Sequence, residues 1–352
     1  MTRELWVRAL ALPPILTGFS TPQIRKQAQR FFYSIADIFE AWVTRRKSKH
    51  TQRAYREDVM SFVHYLEIAW PHESIRLLSV SIKDVLAFRD EMLARDLAPK
   101  TLNRRISSLS SFYKYLAAAA AELRLPITVP NPAHAQFIAR ESTDPRDETK
   151  ALSAARARQL IALPAGETVL DYRDRAILKL YLYSGIRLAT GCRLNVSDFH
   201  EDGEEATIRL HEKGDKRRTI GLHSVAAGAI AEYLEEAEIK SGPLFRPRLN
   251  PRSTKLGKGR MNESTMYRVI ESYLERLPGA MKEVEKPDGS TTKHCIYTPH
   301  SLRATAATLL LNARVDIRKV QELLGHRHIT TTQIYDKRRR TTSESASHEL
   351  TL

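Results

Sequence analysis

Residues Tyr297–Tyr335 read YTPHSLRATAATLLLNARVDIRKVQELLGHRHITTTQIY. Thr298 is a suitable N-cap, and Pro299 fits the first helical position, where a missing N–H costs nothing. His300 and Arg303 then stand i,i+3 on one face of the first turn. Unpaired backbone donors and the positive end of the helix dipole gather at the same place, so the turn suits a phosphate. A histidine and an arginine at this spacing also occur on ordinary surface helices, and the pair alone decides nothing. A second helix, from about Asp316 to Leu324, is stopped by Gly325, with His326 just past its end. Thr330 and Gln333 form a capping-box pattern that opens a short helix carrying Tyr335. A single tyrosine is ordinarily core or interface filler, so a chemical role for Tyr335 needs partners from elsewhere in the chain.

Charge is the strongest bulk signal. The 352 residues carry a formal net charge of +15 and a pI near 9.8, which favours a polyanionic partner. The excess is shared, with 23 basic against 16 acidic residues over 1–150 and 33 against 25 over the rest. Two comparably basic domains suit a clamp around a duplex better than one basic tail does. The length also suggests two domains, each able to bury a core. Cys192 and Cys295 give neither a disulfide framework nor a metal site and read as buried thiols of a reducing compartment. No segment approaches the ~18 apolar residues of a membrane span. The mildly apolar Val7–Phe19 is broken by Pro13-Pro14 and lacks a cleavage pattern after it. A cytosolic protein without membrane contact is expected.

Residues 1–32 read as an irregular or partly helical extension. From Ser34 the apolar spacing becomes helical. Ser34 with Asp37 is the expected cap of a segment burying Ile35, Ile38, Phe39, Trp42 and Val43. Arg45-Arg46-Lys47-Ser48-Lys49 follows as a basic connector. Thr51 is the expected cap of a helix with Tyr55, Val59, Phe62 and Leu66 inward, and a third helix runs from Ser81 to about Ala94 on Val85, Phe88 and Met92. The fourth begins near Thr101 and buries Leu102, Ile106, Leu109, Phe112 and Leu116, while Lys100, Arg104 and Arg105 open its other face. These elements make a four-helix domain over 33–120. Its candidate phosphate contacts are Arg45, Arg46, Lys47, Lys49, Lys100, Arg104 and Arg105.

Residues 121–150, with Pro126, Pro130 and Asn131-Pro132, have the composition of a linker. In the second domain, 151–337, helices are expected at Leu152–Leu163 and Asp171–Tyr183, the latter broken at Ser184-Gly185 with Arg187 in the turn. Two strands follow, Ala206–His211 and Arg217–Leu222, joined by Lys213-Gly214-Asp215-Lys216. Further helices are expected at Val225–Ala237 and Glu263–Leu277, with a basic loop Arg246–Arg260 between them and a turn at Pro287-Asp288-Gly289. Residues 338–352 form a polar tail. The expected class is mostly α, pairing a helical N-terminal domain with an α+β C-terminal domain that holds a small β-hairpin or sheet.

Arg187, Lys213, the His300/Arg303 pair and His326 all precede Tyr335 at breaks between elements. In this order they resemble the tyrosine recombinase family, which comprises phage integrases and Xer-like site-specific recombinases. The matching pieces are Ser184-Gly185-Ile186-Arg187, the hairpin Lys213-Gly214-Asp215-Lys216-Arg217, His300-Ser301-Leu302-Arg303, Leu323-Leu324-Gly325-His326 and Ile334-Tyr335. Residues 34–116 also resemble the family's SAM-like core-binding domain. Each piece is weak alone, and all five in order at typical separations are highly specific.

The chemistry agrees with the resemblance. Attack on a phosphodiester develops charge on the non-bridging oxygens, which fixed cations stabilise best where water is excluded. Arg187 and Arg303 each offer a bidentate fork and are the expected phosphate clamp. A tyrosine hydroxyl titrates near pH ~10 in isolation, and adjacent arginines are expected to favour the phenolate, making Tyr335 the candidate nucleophile. The resemblance implies that Lys213 is the general acid, that His300 assists proton transfer and that His326 hydrogen-bonds the phosphate. Lys216 is the alternative lysine, and also a candidate DNA contact. His328 is the alternative to His326, against which the nine-residue spacing to Tyr335 counts.

By the same resemblance the two domains form a C-shaped clamp on double-stranded DNA carrying specific sites. Strand exchange proceeds through a 3′-phosphotyrosyl intermediate and a Holliday junction, with a homo-tetramer on DNA and a monomer or weak dimer when free. The place is the bacterial cytoplasm, at the nucleoid. No metal, nucleotide or other cofactor is implied, and the sequence shows no P-loop. One departure stands out: the family's acidic residue three positions after the first arginine is here Thr190, which leaves open what orients Arg187. Two other readings share these residues: a topoisomerase-like nicking-closing enzyme, and a DNA-binding protein whose site has decayed.

Overall fold

The computed structural model describes residues 21–142, 149–203, 205–212, 216–285 and 289–336. The chain divides into two units between Thr143 and Asp144. In the first, helices α1 (Pro22–Tyr33), α2 (Ile35–Thr44), α3 (Lys49–Tyr65), α4 (Ile82–Ala94) and α5 (Pro99–Glu122) share one core. Its centre is aromatic: Phe39 meets Phe112 edge to face at 5.4 Å, and Trp42 stacks on Tyr55 at 5.0 Å. Each fully buried phenylalanine there contributes roughly 1.5–3 kcal/mol of transfer free energy. Val59 and Phe62 of α3, the three inward residues of α4 and the five of α5 are buried as their spacing predicts.

Several boundaries differ from expectation. Ser48, not Thr51, caps α3, its Oγ accepting the Thr51 N–H at 3.5 Å. Both residue types cap well, and the earlier one adds a turn to the helix. Lys49 is therefore the first helical residue rather than part of the connector. Ser34 caps nothing with its side chain; its Oγ donates to the Phe31 carbonyl at 2.8 Å, because α1 runs almost directly into α2. Ala28, Phe31 and Phe32 of α1 are buried in the common core, so the end of the expected extension belongs to it. Likewise, Leu125, Val129, Ala133 and Ile138, from the expected linker, are buried against this unit. Asn103 holds the backbone of Glu141 at 2.9 Å in both directions. The prolines there mark irregular backbone that is nonetheless packed. Residues 143–148 of the expected linker, and the tail from 337, lie outside the described residues.

The second unit contains α6 (Ala154–Ala162), α7 (Val169–Ser184), α8 (Leu188–Arg193), β1 (Phe199–Asp202), β2 (Glu205–Glu212), β3 (Lys216–Gly221), α9 (Ser224–Glu236) and α10 (Glu263–Leu274). A hairpin β4 (Met281–Glu285) and β5 (Thr291–Cys295) follows, then α11 (Pro299–Asn312), α12 (Ile317–Leu324) and α13 (Ile329–Gln333). Strands β1-β2-β3 form an antiparallel sheet in which Ile208 faces both Phe199 and Ile220. Neither β1 nor the β4–β5 hairpin stands out in the sequence. Every residue of the hairpin's two strands but Cys295 is exposed, so no apolar alternation marks them.

A reciprocal Thr168–Asp171 capping box opens α7, and Gly185 ends it with a left-handed φ of 59°. A Cβ at Gly185 would lie 2.5 Å from Leu324 Cδ2. The ends of α7 and α12 can therefore touch only because this position is glycine.

Candidate active site

Between those two helix ends lies Arg303, from the first turn of α11, only 2% exposed. Its Nη1 donates to the Gly185 carbonyl at 2.6 Å and its Nη2 to that of Leu324 at 2.8 Å. Carbonyls at helix C-termini lack intrahelical partners and carry the negative end of the dipole, so they suit a guanidinium. Burial, with help from the nearby Arg187 charge, lowers the Arg303 pKa to about 10, which leaves it cationic at neutral pH. Arg187, at the N-cap of α8, donates from Nη1 to Glu212 Oε1 at 3.0 Å and from Nη2 to the Gly325 carbonyl at 3.4 Å. Arg218, on β3, donates to the carbonyls of Glu322 and Leu323 at 2.9 and 3.0 Å, and its Nε lies 3.3 Å from Glu212 Oε2. Three guanidiniums thus converge on the C-terminal end of α12, with one carboxylate between two of them. Arg187 and Arg303 each use about two of their five N–H donors on these contacts, which leaves donors for a phosphate.

Tyr335 follows α13, packed against the cluster that holds Leu324. Its hydroxyl is 3.5 Å from His300 Nε2, and its ring stacks on that of His326 at 6.1 Å and 12°. His326 Nδ1 lies 2.9 Å from the hydroxyl of Thr332, which is fully buried. Burial first, then the Arg303 charge, lowers the His326 pKa to about 4, so the ring is neutral at pH 7. To donate to a phosphate oxygen it must carry its proton on Nε2, which requires Thr332 to donate to Nδ1.

Two expectations about Tyr335 need correction. Its pKa is raised, because burial outweighs the opposing pull of Arg303 and Arg187. The hydroxyl is therefore a neutral phenol at pH 7, and its proton has to leave during attack. The capping box of Thr330 and Gln333 does not form: α13 starts after His328 without a side-chain cap, and Tyr335 lies beyond the helix end.

Lys213 and the hairpin turn through Asp215 lie outside the described residues. Lys216 opens β3 opposite Glu212 and is exposed. Thr190 is buried in α8, and the carboxylate paired with Arg187 comes from Glu212 instead. Sequence reasoning missed Glu212, Arg218 and Thr332. For the first two a signal exists, since strand alternation places Glu212 with Ile208 and Leu210, and Arg218 with Ile220, on the inner face.

In the first unit, Arg45 lies over the Tyr115 ring and Arg46 over the Tyr55 ring, each at 4.8 Å. Lys47, Lys49 and Lys100 are exposed, the last two in the first turns of α3 and α5. Arg104 differs from expectation. It is ion-paired with buried Asp58, which also accepts from Ser108 Oγ at 2.7 Å. Burial pushes the Asp58 carboxyl up, and Arg104 supplies the compensating charge rather than a free cation. Arg105 is half-buried, with Nη1 3.8 Å from the Met92 sulfur.

Residues 150–341 match the phage integrase family model, and residues 40–120 match the model of the N-terminal SAM-like domain of phage integrases. The chain belongs to the phage integrase family, the tyrosine-type recombinases. Among its relatives, tyrosine recombinase XerD of Listeria monocytogenes is 30% identical over 296 residues, covering 83% of this chain and 89% of that protein. Tyrosine recombinase XerC of Anoxybacillus flavithermus is 29% identical over 303 residues, covering 83% and 88%. Among solved structures, the XerH site-specific recombinase bound to its difH substrate shares the fold with a TM-score of 0.66 at 18% identity, over 94% of this chain and 97% of that one. A lambda integrase dimer bound to a core site does so with a TM-score of 0.60 at 17% identity, over 92% and 84%.

Proposed function

We propose that this family member is a site-specific recombinase that cuts and rejoins duplex DNA through Tyr335. The observation that supports the reading is the Tyr335 hydroxyl beside His300, with its ring stacked on His326 and within the electrostatic reach of Arg187 and Arg303. The phenolic oxygen attacks the scissile phosphorus and the P–O5′ bond breaks, leaving a 3′-phosphotyrosyl ester and a free 5′-hydroxyl. The phenolic proton passes to His300 Nε2, and Lys213 protonates the departing 5′-oxygen. Arg187, Arg303 and neutral His326 hold the charge on the non-bridging oxygens. One ester replaces another, so the bond energy is retained for rejoining to the original or an exchanged 5′-hydroxyl. Exchange between two sites passes through a Holliday junction and takes four protomers, one per cut strand. The basic positions Arg45, Arg46, Lys47, Lys49 and Lys100 of the first unit and Lys216 of the second grip the flanking DNA backbone. No helix among the described residues is long and apolar enough to cross a membrane, and the bacterial cytoplasm is the place of action.

The test uses nicked duplexes carrying candidate sites, in EDTA, with denaturing gels to detect a covalent adduct. Wild type forms it and Tyr335→Phe does not. An adduct in the variant removes Tyr335 as nucleophile, and plasmid relaxation without site dependence replaces recombination with a nicking-closing activity.

A further inference from the structure

Arg187 is the less secured of the two clamp arginines. Arg303 is buried and held by two carbonyls at 2.6 and 2.8 Å. The Arg187 side chain is 45% exposed, and apart from Glu212 its described tie is the 3.4 Å contact with the Gly325 carbonyl. The residue three places on, Thr190, has no charge to offer it. Glu212 does, and it sits where a carboxylate costs most unless paired, with its side chain 8% exposed.

The Glu212 carboxylate is fixed from several sides. Oε2 faces Arg218 Nε at 3.3 Å, and Arg218 is pinned to the last carbonyls of α12. The backbone of Gly325 packs so closely that a Cβ there would come within 2.9 Å of Glu212 Oε2. Oε1 accepts from Arg187 Nη1 at 3.0 Å and, at a longer 3.4 Å, from Arg218 Nη2. A continuous path therefore runs from the end of α12 through Arg218 and Glu212 to the Arg187 guanidinium. Glu212 is also the last residue of β2, directly before Lys213, so the same carboxylate anchors the strand that leads into the hairpin.

We propose that Glu212 is the positioning residue of the phosphate clamp: braced by Arg218, it orients Arg187 before DNA arrives, a task Thr190 cannot perform. The proposal rests on Arg187 being a phosphate ligand, as argued above. Glu212 does not touch the reacting atoms and acts only through Arg187. Two N–H groups of Arg187 are spent on Glu212 and Gly325, and the others are left aimed by that contact.

A double-mutant cycle separates this role from mere stability. The full-length protein, its Glu212→Gln and Arg187→Ala variants and the double variant are compared for single-turnover cleavage of a nicked duplex, for DNA affinity and for melting temperature. Glu212→Gln is expected to slow cleavage about ten- to hundredfold, less than the ~10²–10³ of deleting a charge-stabilising donor outright. Its DNA affinity stays within about threefold of wild type, since the net positive surface that dominates binding is kept. In the Arg187→Ala background the same change adds no further loss. An equal slowing in both backgrounds, or cleavage at the wild-type rate, overturns the proposal. Should Glu212→Gln fail to fold, Glu212→Asp replaces it in the same cycle with the same criteria, since it keeps the charge but withdraws it by one methylene. Wild type that forms no adduct indicts the functional reading instead, so the two failures are distinguishable.

Discussion

Gly325 and Gly203 share a left-handed φ, 65° and 60°, in very different surroundings. A Cβ at Gly203 meets nothing within 4 Å; at Gly325 it meets Arg218 Nε and Glu212 Oε2 at 2.9 Å and Arg218 Cζ at 3.1 Å. Alanine in the left-handed region costs about 1–2 kcal/mol, offset by the ~0.4–1 kcal/mol that a less flexible unfolded chain returns. Gly203→Ala should therefore destabilise by about 0.5–1 kcal/mol. Gly325→Ala carries the same backbone term plus overpacking against an ion pair, about 1–3 kcal/mol more. At about 2–4 °C per kcal/mol for a unit of this size, calorimetric melting of the full chain should drop by about 3–16 °C for Gly325→Ala and by about 1–4 °C for Gly203→Ala. Cleavage should part the two further. Ordinary contact distance requires the Glu212–Arg218 pair to retreat by roughly 0.5–1 Å, and displacement of that order at a site costs up to ~10²-fold in rate. Gly203→Ala should cleave like wild type. If the two variants match in both melting and cleavage, the packing of Gly325 on the Glu212–Arg218 pair has no energetic weight.

Two other outcomes follow from the same geometry. His326 has a folded-state pKa of about 4 against an ordinary 6.5, so the native state binds fewer protons than the unfolded chain between those values. Its contribution to stability is present above pH 6.5 and is lost as pH falls towards 4; urea titrations across that window should show a shallower pH slope for His326→Gln than for wild type, and equal slopes refute the assignment. A substrate with sulfur at the bridging 5′ position leaves as a thiolate, whose conjugate acid titrates near ~8.5, and needs no general acid. That substrate should restore Lys213→Ala to within about tenfold of wild type, a small gap beside the ~10²–10⁴ worth of general acid catalysis, and should leave Arg187→Ala slow. Rescue of Lys216→Ala instead moves the acid to the other lysine of the hairpin.

The inner faces of α3, α4 and α5 were readable because apolar residues at helical spacing have one place to go. The same holds for the stops at Gly185 and Gly325, where the backbone itself demands glycine. Ser48 and Thr51 could not be told apart by residue type, because either suits an N-cap and only the completed helix chooses. Of the β4–β5 hairpin only the turn at Pro287-Asp288-Gly289 was legible; its strands were not, because none of their residues before Cys295 is buried. In the site, the residues that touch a phosphate in the proposed reaction carry distinctive chemistry at element breaks, and sequence order exposes them. Glu212 and Thr332 act through a neighbour, so their side chains look ordinary until the neighbour is located. Arg104 shows the converse: on an expected polar face, it is also ion-paired with buried Asp58, a partner that the sequence does not reveal.

The raised pKa of Tyr335 bears on when the enzyme, in the proposed mechanism, can cut. In the free chain burial keeps the phenol protonated despite two nearby guanidiniums. A bound phosphodiester adds negative charge beside the same arginines and weakens their pull on the phenolate, which makes prior ionisation still less favourable. The proton must then leave as the oxygen attacks, and a ring nitrogen has to be in place to take it. His300 Nε2 is 3.5 Å from the hydroxyl, longer than the ~2.7–2.8 Å typical of a strong O–H donor contact. The nucleophile is thus positioned but not activated, and the contact has to shorten with DNA in place for cleavage to begin. Such an arrangement couples scission to the presence of a correctly seated phosphate, because no step in it generates a reactive phenolate in the absence of substrate.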